Sequence, residues 1–300
     1  MNRRLSHVVC LIGMLWYPRC GWTQSDLSSA REQYPASSSH VTAQRKVPFQ
    51  LHRGYLAIVK GLVGQTLETN FLVDTGAYPS VIDLGVAASL RLAKRPAHVN
   101  LTRQTIETHT AVLPSLIVGP IHVSSLPVLI QDLSFLSKAI GYKVDGIVGL
   151  DVLRNASFTI NYQTREIEFG ATRDLTSCAP FETDTPLVSV RMASHSQRFR
   201  VVIDTGGPDL MFFKSRVADT ARFKELDSEQ VRDSGERFER RKVLVPDMYL
   251  GDKTFGSQIA FVVDDRVDEG DNFDAVLGVR GAHFRKIAFD FEHRKFCWDR

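Results

Sequence analysis

Phe71-Leu72-Val73-Asp74-Thr75-Gly76-Ala77 runs three apolar residues into Asp-Thr-Gly, and Val201-Val202-Ile203-Asp204-Thr205-Gly206-Gly207 does so again 130 residues later. Each copy reads as a buried strand that ends in a tight turn and presents one carboxylate. A single copy would be an ordinary turn. Here the downstream chain repeats as well: Asp145-Gly146-Ile147-Val148-Gly149 ends 75 residues after Asp74, and Asp274-Ala275-Val276-Leu277-Gly278 ends 74 after Asp204. From those glycines the register holds for 20 more residues, to Phe169 and Trp298, and between them Leu113–Gly119 mirrors Val245–Gly251. A repeat of about 130 residues is the size of a small domain rather than of a solenoid unit. Two homologous lobes are expected.

Short apolar runs punctuated by Gly and Pro predict an all-β fold with few helices. Strands are expected over Gly54–Val59, Leu67–Val73, Ser80–Ile82, Pro114–Ile130, Leu187–Met192, Phe199–Ile203, Ile259–Val263 and Ile287–Asp290, and helices over Gly85–Leu92, Leu133–Ile140 and Lys214–Leu226. Asn100–Val112 and the charged stretch Ser228–Lys242 read as hairpins in corresponding places of the two lobes.

Asp-Thr-Gly-Ala after an apolar strand, with an apolar-apolar-Gly segment about seventy residues on, resembles the pattern of the aspartic proteases. The resemblance runs from about Val47 to the C-terminus. Locally, Asp74-Thr75-Gly76-Ala77 with Gly149-Leu150-Asp151-Val152-Leu153 is similar to the retropepsin-like branch, while two lobes in one chain are similar to pepsin. The resemblance implies a bilobed acid-protease fold with a cleft between the lobes, a catalytic dyad of Asp74 and Asp204, and hairpins that close over substrate as flaps. It also implies that Thr75 and Thr205 hydrogen-bond across the lobe interface. Gly76 and Gly206 let backbone amides approach the carboxylates. Ala77 and Gly207 depart from the Ser or Thr that follows the glycine in pepsin-like enzymes; without those hydroxyl donors the dyad is expected to work at mildly acidic pH. Gly207 also leaves room for a second lobe that keeps the fold and not the turnover.

Two carboxylates at hydrogen-bonding distance cannot both ionise cheaply, so they share a proton; one serves as general base and the other as acid. No other pair of carboxylates is expected to be placed equivalently in the repeat. Asp83, Asp151 and Asp209 read as cap or turn residues, and His195, His283 and His293 have no partner at ligand spacing. With neither Cys-x-x-Cys nor His-Glu-x-x-His, neither a metal nor a cofactor is expected.

The chain carries 37 basic and 34 acidic residues. The first 25 residues hold Arg3, Arg4 and Arg19 and no acid, so the remainder is balanced and lacks the basic surplus of a nucleic-acid binder. Residues 1–25 read as a secretory signal, a basic start before an apolar run from Leu5 to Tyr17 that is too short to span a bilayer. Residues 26–46 read as a disordered leader, 47–171 as the N-terminal lobe, 172–186 as the interlobe linker and 187–300 as the C-terminal lobe. Removal of the signal leaves Cys178 and Cys297, either as one disulfide or as two thiols. Asn100-Leu101-Thr102 and Asn155-Ala156-Ser157 fit the glycosylation triplet. The expectation is an exported (periplasmic or extracellular), monomeric aspartic-type endopeptidase acting on peptide or protein substrates, with no stable membrane insertion. The alternatives are a non-catalytic peptide-binding protein of the same fold, or an enzyme that trims only its own leader.

Overall fold

The apolar triads before Asp74 and Asp204 are buried on both faces, as continuous apolar runs in parallel-paired strands require. The computed structural model describes residues 15–16 and 45–300, apart from residues 65, 102–104, 171, 173–174, 183–186, 195–196, 218–222, 234–235 and 265–272. Side chains at 15–16, 99–101, 105–106, 231–233 and 236–238 are not described. Most of the segment read as signal and leader, Thr102 of the triplet at Asn100, His195 and the tips of both hairpins therefore lie outside the described residues.

The first half of the chain comprises β1 (Leu15–Trp16), β2 (Lys46–His52), β3 (Leu56–Val63), β4 (Leu67–Val73), β5 (Val81–Asp83), α1 (Leu84–Ser89), β6 (Arg95–Leu101), β7 (Thr105–Val118), β8 (Ile121–Gln131), α2 (Ser134–Ile140), β9 (Gly146–Val148), α3 (Leu150–Leu153), β10 (Phe158–Asn161) and β11 (Glu166–Phe169). The second comprises β12 (Ser177–Glu182), β13 (Ser189–Ser194), β14 (Gln197–Asp204), β15 (Leu210–Phe213), β16 (Lys224–Asp233), β17 (Glu236–Leu250), β18 (Lys253–Val263), β19 (Ala275–Gly278), β20 (Lys286–Asp290) and β21 (Lys295–Asp299). The fold is all-β, with only short helices among the described residues.

Both halves use one connectivity. In the first, β4 lies parallel to β9, β5 lies parallel to β8 and β5 runs antiparallel to β9. In the second, β14 and β19, β15 and β18, and β15 and β19 repeat those three relations. The result is that each strand ending at an aspartate lies beside the later apolar-apolar-Gly segment. A third sheet takes strands from both halves in the order β2, β11, β10, β20, β21, β12. At its centre Phe158 faces Phe289 and Ile160 faces Ile287, and the two phenylalanine ring centroids are 4.9 Å apart. One apolar core runs through both halves, and a smaller cluster of Val202, Met211, Phe213, Phe261, Val263, Phe273 and Val276 covers the other face of the second-half sheet.

One expectation changes. Lys224–Leu226, read as the end of a helix, begins strand β16, which pairs with β17 through Lys224↔Leu244 and Glu225↔Val243 before a bulge. A long partner strand overrides the weak local helix signal there. The segment taken as a linker contains strand β12, and Cys178 and Cys297 face each other between β12 and β21 as a disulfide.

Candidate active site

The two Asp-Thr-Gly turns meet. Thr75 N–H donates to Thr205 Oγ1 at 3.0 Å and Thr205 N–H donates to Thr75 Oγ1 at 3.1 Å. Each hydroxyl then donates onward to the carbonyl before the opposite aspartate: Thr75 to Ile203 at 2.8 Å and Thr205 to Val73 at 2.9 Å. Both threonines are fully buried. These four bonds satisfy two buried hydroxyls and two buried amides at once, so neither turn can withdraw without leaving polar groups unpaired.

Asp74 and Asp204 lie in the same place, with 0% and 1% of their surface exposed. Gly76 N–H donates to Asp74 Oδ1 at 2.8 Å, while Gly206 and Gly207 N–H groups donate to Asp204 Oδ1 at 2.7 and 2.8 Å. Glycine is required at 206, where a Cβ would sit 2.4 Å from Asp74 Oδ2, and at 207, where it would sit 2.6 Å from Asp204 Oδ2. Ala77, by contrast, carries its methyl in the core.

Burial raises both carboxyls above their ordinary range. Asp204 is raised further, next by the charge of Asp74 and by the hydrogen bond the two share. For Asp74 burial is opposed by that same bond and by the amides of Gly76, Gly206 and Ala77. Asp74 Oδ2 closes no well-aligned bond with an amide or hydroxyl, so a proton held on Asp204 is the partner available to it. Two acids buried in one place can hold one proton between them. Burial, followed by the charge of Asp204, also raises the phenol of Tyr162, whose hydroxyl finds no hydrogen-bond partner among the described residues.

The remaining acidic residues separate clearly. Asp83 caps α1 through Gly85 N–H and also accepts from Leu133 N–H. The Asp151 carboxylate accepts from Ser80 N–H at 2.9 Å, Ser80 Oγ at 2.6 Å and Val152 N–H at 3.1 Å. Asp209 is paired to Arg280 at 3.0 Å and to Arg240 at 3.6 Å.

Asp145 and Asp274 overturn the expectation that no second carboxylate pair occupies equivalent places. Each accepts the backbone N–H of the residue four before Asp74 or Asp204, Asn70 at 2.9 Å and Arg200 at 2.7 Å. The spacing from Asp74 to Asp145 and from Asp204 to Asp274 already carried that signal. His283 donates its backbone N–H to Arg280, while the His293 ring contacts Asp290 at 2.9 Å. Among the described residues no group of His, Cys, Asp and Glu has the arrangement of a metal site.

A protein-family model described as aspartyl protease matches residues 59–152. The matched segment runs from within β3 into α3, contains Asp74 and Gly149, and ends before the second Asp-Thr-Gly. It supports an aspartic protease family, and with it a hydrolase of peptide bonds. No curated protein matches the chain.

Proposed function

We propose that this chain is a two-lobed aspartic-type endopeptidase, its lobes related by internal duplication and its dyad formed by Asp74 and Asp204. The observation that carries this reading is the reciprocal set of Thr75 and Thr205 hydrogen bonds, which holds two buried carboxylates against each other. The matched connectivity of the halves supports it, as does the family match over residues 59–152.

In this mechanism Asp74, the less strongly raised of the two carboxyls, is the ionised member, and Asp204, held up further by the charge of Asp74, carries the proton. A water between them gives a proton to Asp74 as its oxygen attacks the scissile carbonyl carbon, and Asp204 protonates the carbonyl oxygen. The proton on Asp74 then passes to the leaving nitrogen as the C–N bond breaks. Asp204 recovers its proton from the hydroxyl of the tetrahedral intermediate, and no covalent enzyme adduct forms. Hairpins β6–β7 and β16–β17 serve as flaps, and substrate lies extended, pairing its main chain with them.

Gly207 does not count against turnover, since its amide still reaches Asp204. Because burial raises both carboxyls, the singly protonated pair persists to mildly acidic pH, where the rate optimum is expected. The Cys178–Cys297 disulfide is consistent with export to an oxidising compartment. Among the described residues no helix is long and apolar enough to cross a membrane.

The test is cleavage of a mixed peptide library from about pH 3 to pH 7 by wild type, Asp74→Ala and Asp204→Ala. Cleavage by wild type, abolished in both variants, supports the reading. An optimum below about pH 3 contradicts the account of the dyad. Peptide binding without cleavage transfers the protein to a binding role.

A further inference from the structure

Ser80 and Asp151 form a buried chain of hydrogen bonds behind the Asp74 turn. Ser80 directs its hydroxyl proton to Asp151 Oδ1 and its amide to Asp151 Oδ2, and its Oγ accepts the Gly149 amide at 2.9 Å. On either side of Gly149 the same segment grips the turn: Asp74 N–H donates to Val148 O at 3.0 Å, and Leu150 N–H donates to Ala77 O at 3.0 Å. The fit is close enough that a Cβ on Gly149 would lie 2.4 Å from Ala77 O.

Among the described residues the second half lacks this device. Leu210 and Arg280 stand at the places corresponding to Ser80 and Asp151, and its turn is pinned by Val279 N–H to Gly207 O and Gly281 N–H to Pro208 O, with the Asp209–Arg280 ion pair outside.

We infer that Ser80 and Asp151 are positioning residues that fix the separation of the Asp74 and Asp204 carboxylates. The inference rests on the proposed reading of the two aspartates as a dyad. Ser80 is the only hydroxyl in the chain of bonds, and it has no spare role: its proton goes to Asp151 and its lone pair to Gly149. Removing either partner leaves the Gly149 amide or the Ser80 hydroxyl poorly satisfied, and the relief available is movement of residues 148–150, to which the Asp74 turn is bonded. A dyad that opens loses mutual repulsion and its shared proton, so its two apparent pKa values approach each other.

The experiment compares the purified full chain with Ser80→Ala, Asp151→Asn and the double variant, using aspartate labelled with carbon-13 at the carboxyl and titrated by NMR. The two dyad values are expected to approach each other by about one pH unit in each single variant, and no further in the double, because either change breaks one chain of bonds. On a cleaved peptide, kcat is expected to fall by about 10- to 100-fold with KM nearly unchanged. A lowered Tm with the dyad titration and kcat as in wild type would overturn the inference, as would kcat losses that multiply in the double variant. A wild type that cleaves no peptide defeats the proposed activity, while narrowed dyad titrations in the same samples would still support positioning.

Discussion

In the first half of the molecule the aspartate-bearing turn is held by an internal carboxylate and hydroxyl, Asp151 and Ser80; in the second half the corresponding place holds an ion pair, Asp209 with Arg280. The backbone around each turn is nevertheless bonded in the same way, Leu150 to Ala77 and Val279 to Gly207. Main-chain geometry is the common element, and the side chains that brace it differ. A half-exposed arginine pair is screened by water and salt, whereas a buried network has no such substitute. The first half is therefore the more sensitive to a single deletion near its turn.

The largest stability effect should fall on the half that has a covalent brace. Replacing Cys178 and Cys297 by Ala opens a cross-link spanning 119 residues and should cost about 2–5 kcal/mol in denaturant unfolding. A loss well below that range would mean that the pairing of β12 with β21 holds without it. Next come the threonines, where the halves should behave alike. Thr75→Val and Thr205→Val each remove a buried hydroxyl that both donates and accepts across the seam, at a cost of about 2–4 kcal/mol. Unequal costs would break the symmetry.

Legibility in the sequence divides along the same lines. The meeting of the Asp74 and Asp204 turns was readable because a motif and its downstream partner recur at one spacing, and the all-β fold was readable from short apolar runs. Ser80 and Asp151 were not, because an Asp after an apolar-Gly segment has the same local appearance whether it caps a helix or braces a turn 71 residues away. Lys224–Leu226 was misread because its partner, β17, lies far enough along the chain that local propensity spoke first. The pairing of Cys178 with Cys297 depends on β12 joining β21, which neither segment's composition reveals.

Smaller effects separate the two carboxyls. Asp204 is raised in the folded protein above its unfolded value, so its contribution to stability is complete below the ordinary carboxyl range and is lost as pH rises through the raised value. Asp204→Asn should therefore be little different from wild type near pH 3.5 and more stable near pH 7, read as a Tm difference that widens with pH. A difference that narrows as pH rises would reverse the assignment. The smallest effect is expected at the second-half brace: Arg280→Gln should cost under about 1 kcal/mol, less still in high salt.

The most direct test of the central claim, that the two halves build one catalytic unit, is a double-mutant cycle on kcat/KM for a cleaved peptide, using Asp74→Ala, Asp204→Ala and the double variant. If the aspartates act as a unit, each single variant loses several orders of magnitude and the double is no worse than either. If the losses multiply, or if either single variant retains near wild-type activity, the two carboxylates work separately and the dyad is refuted.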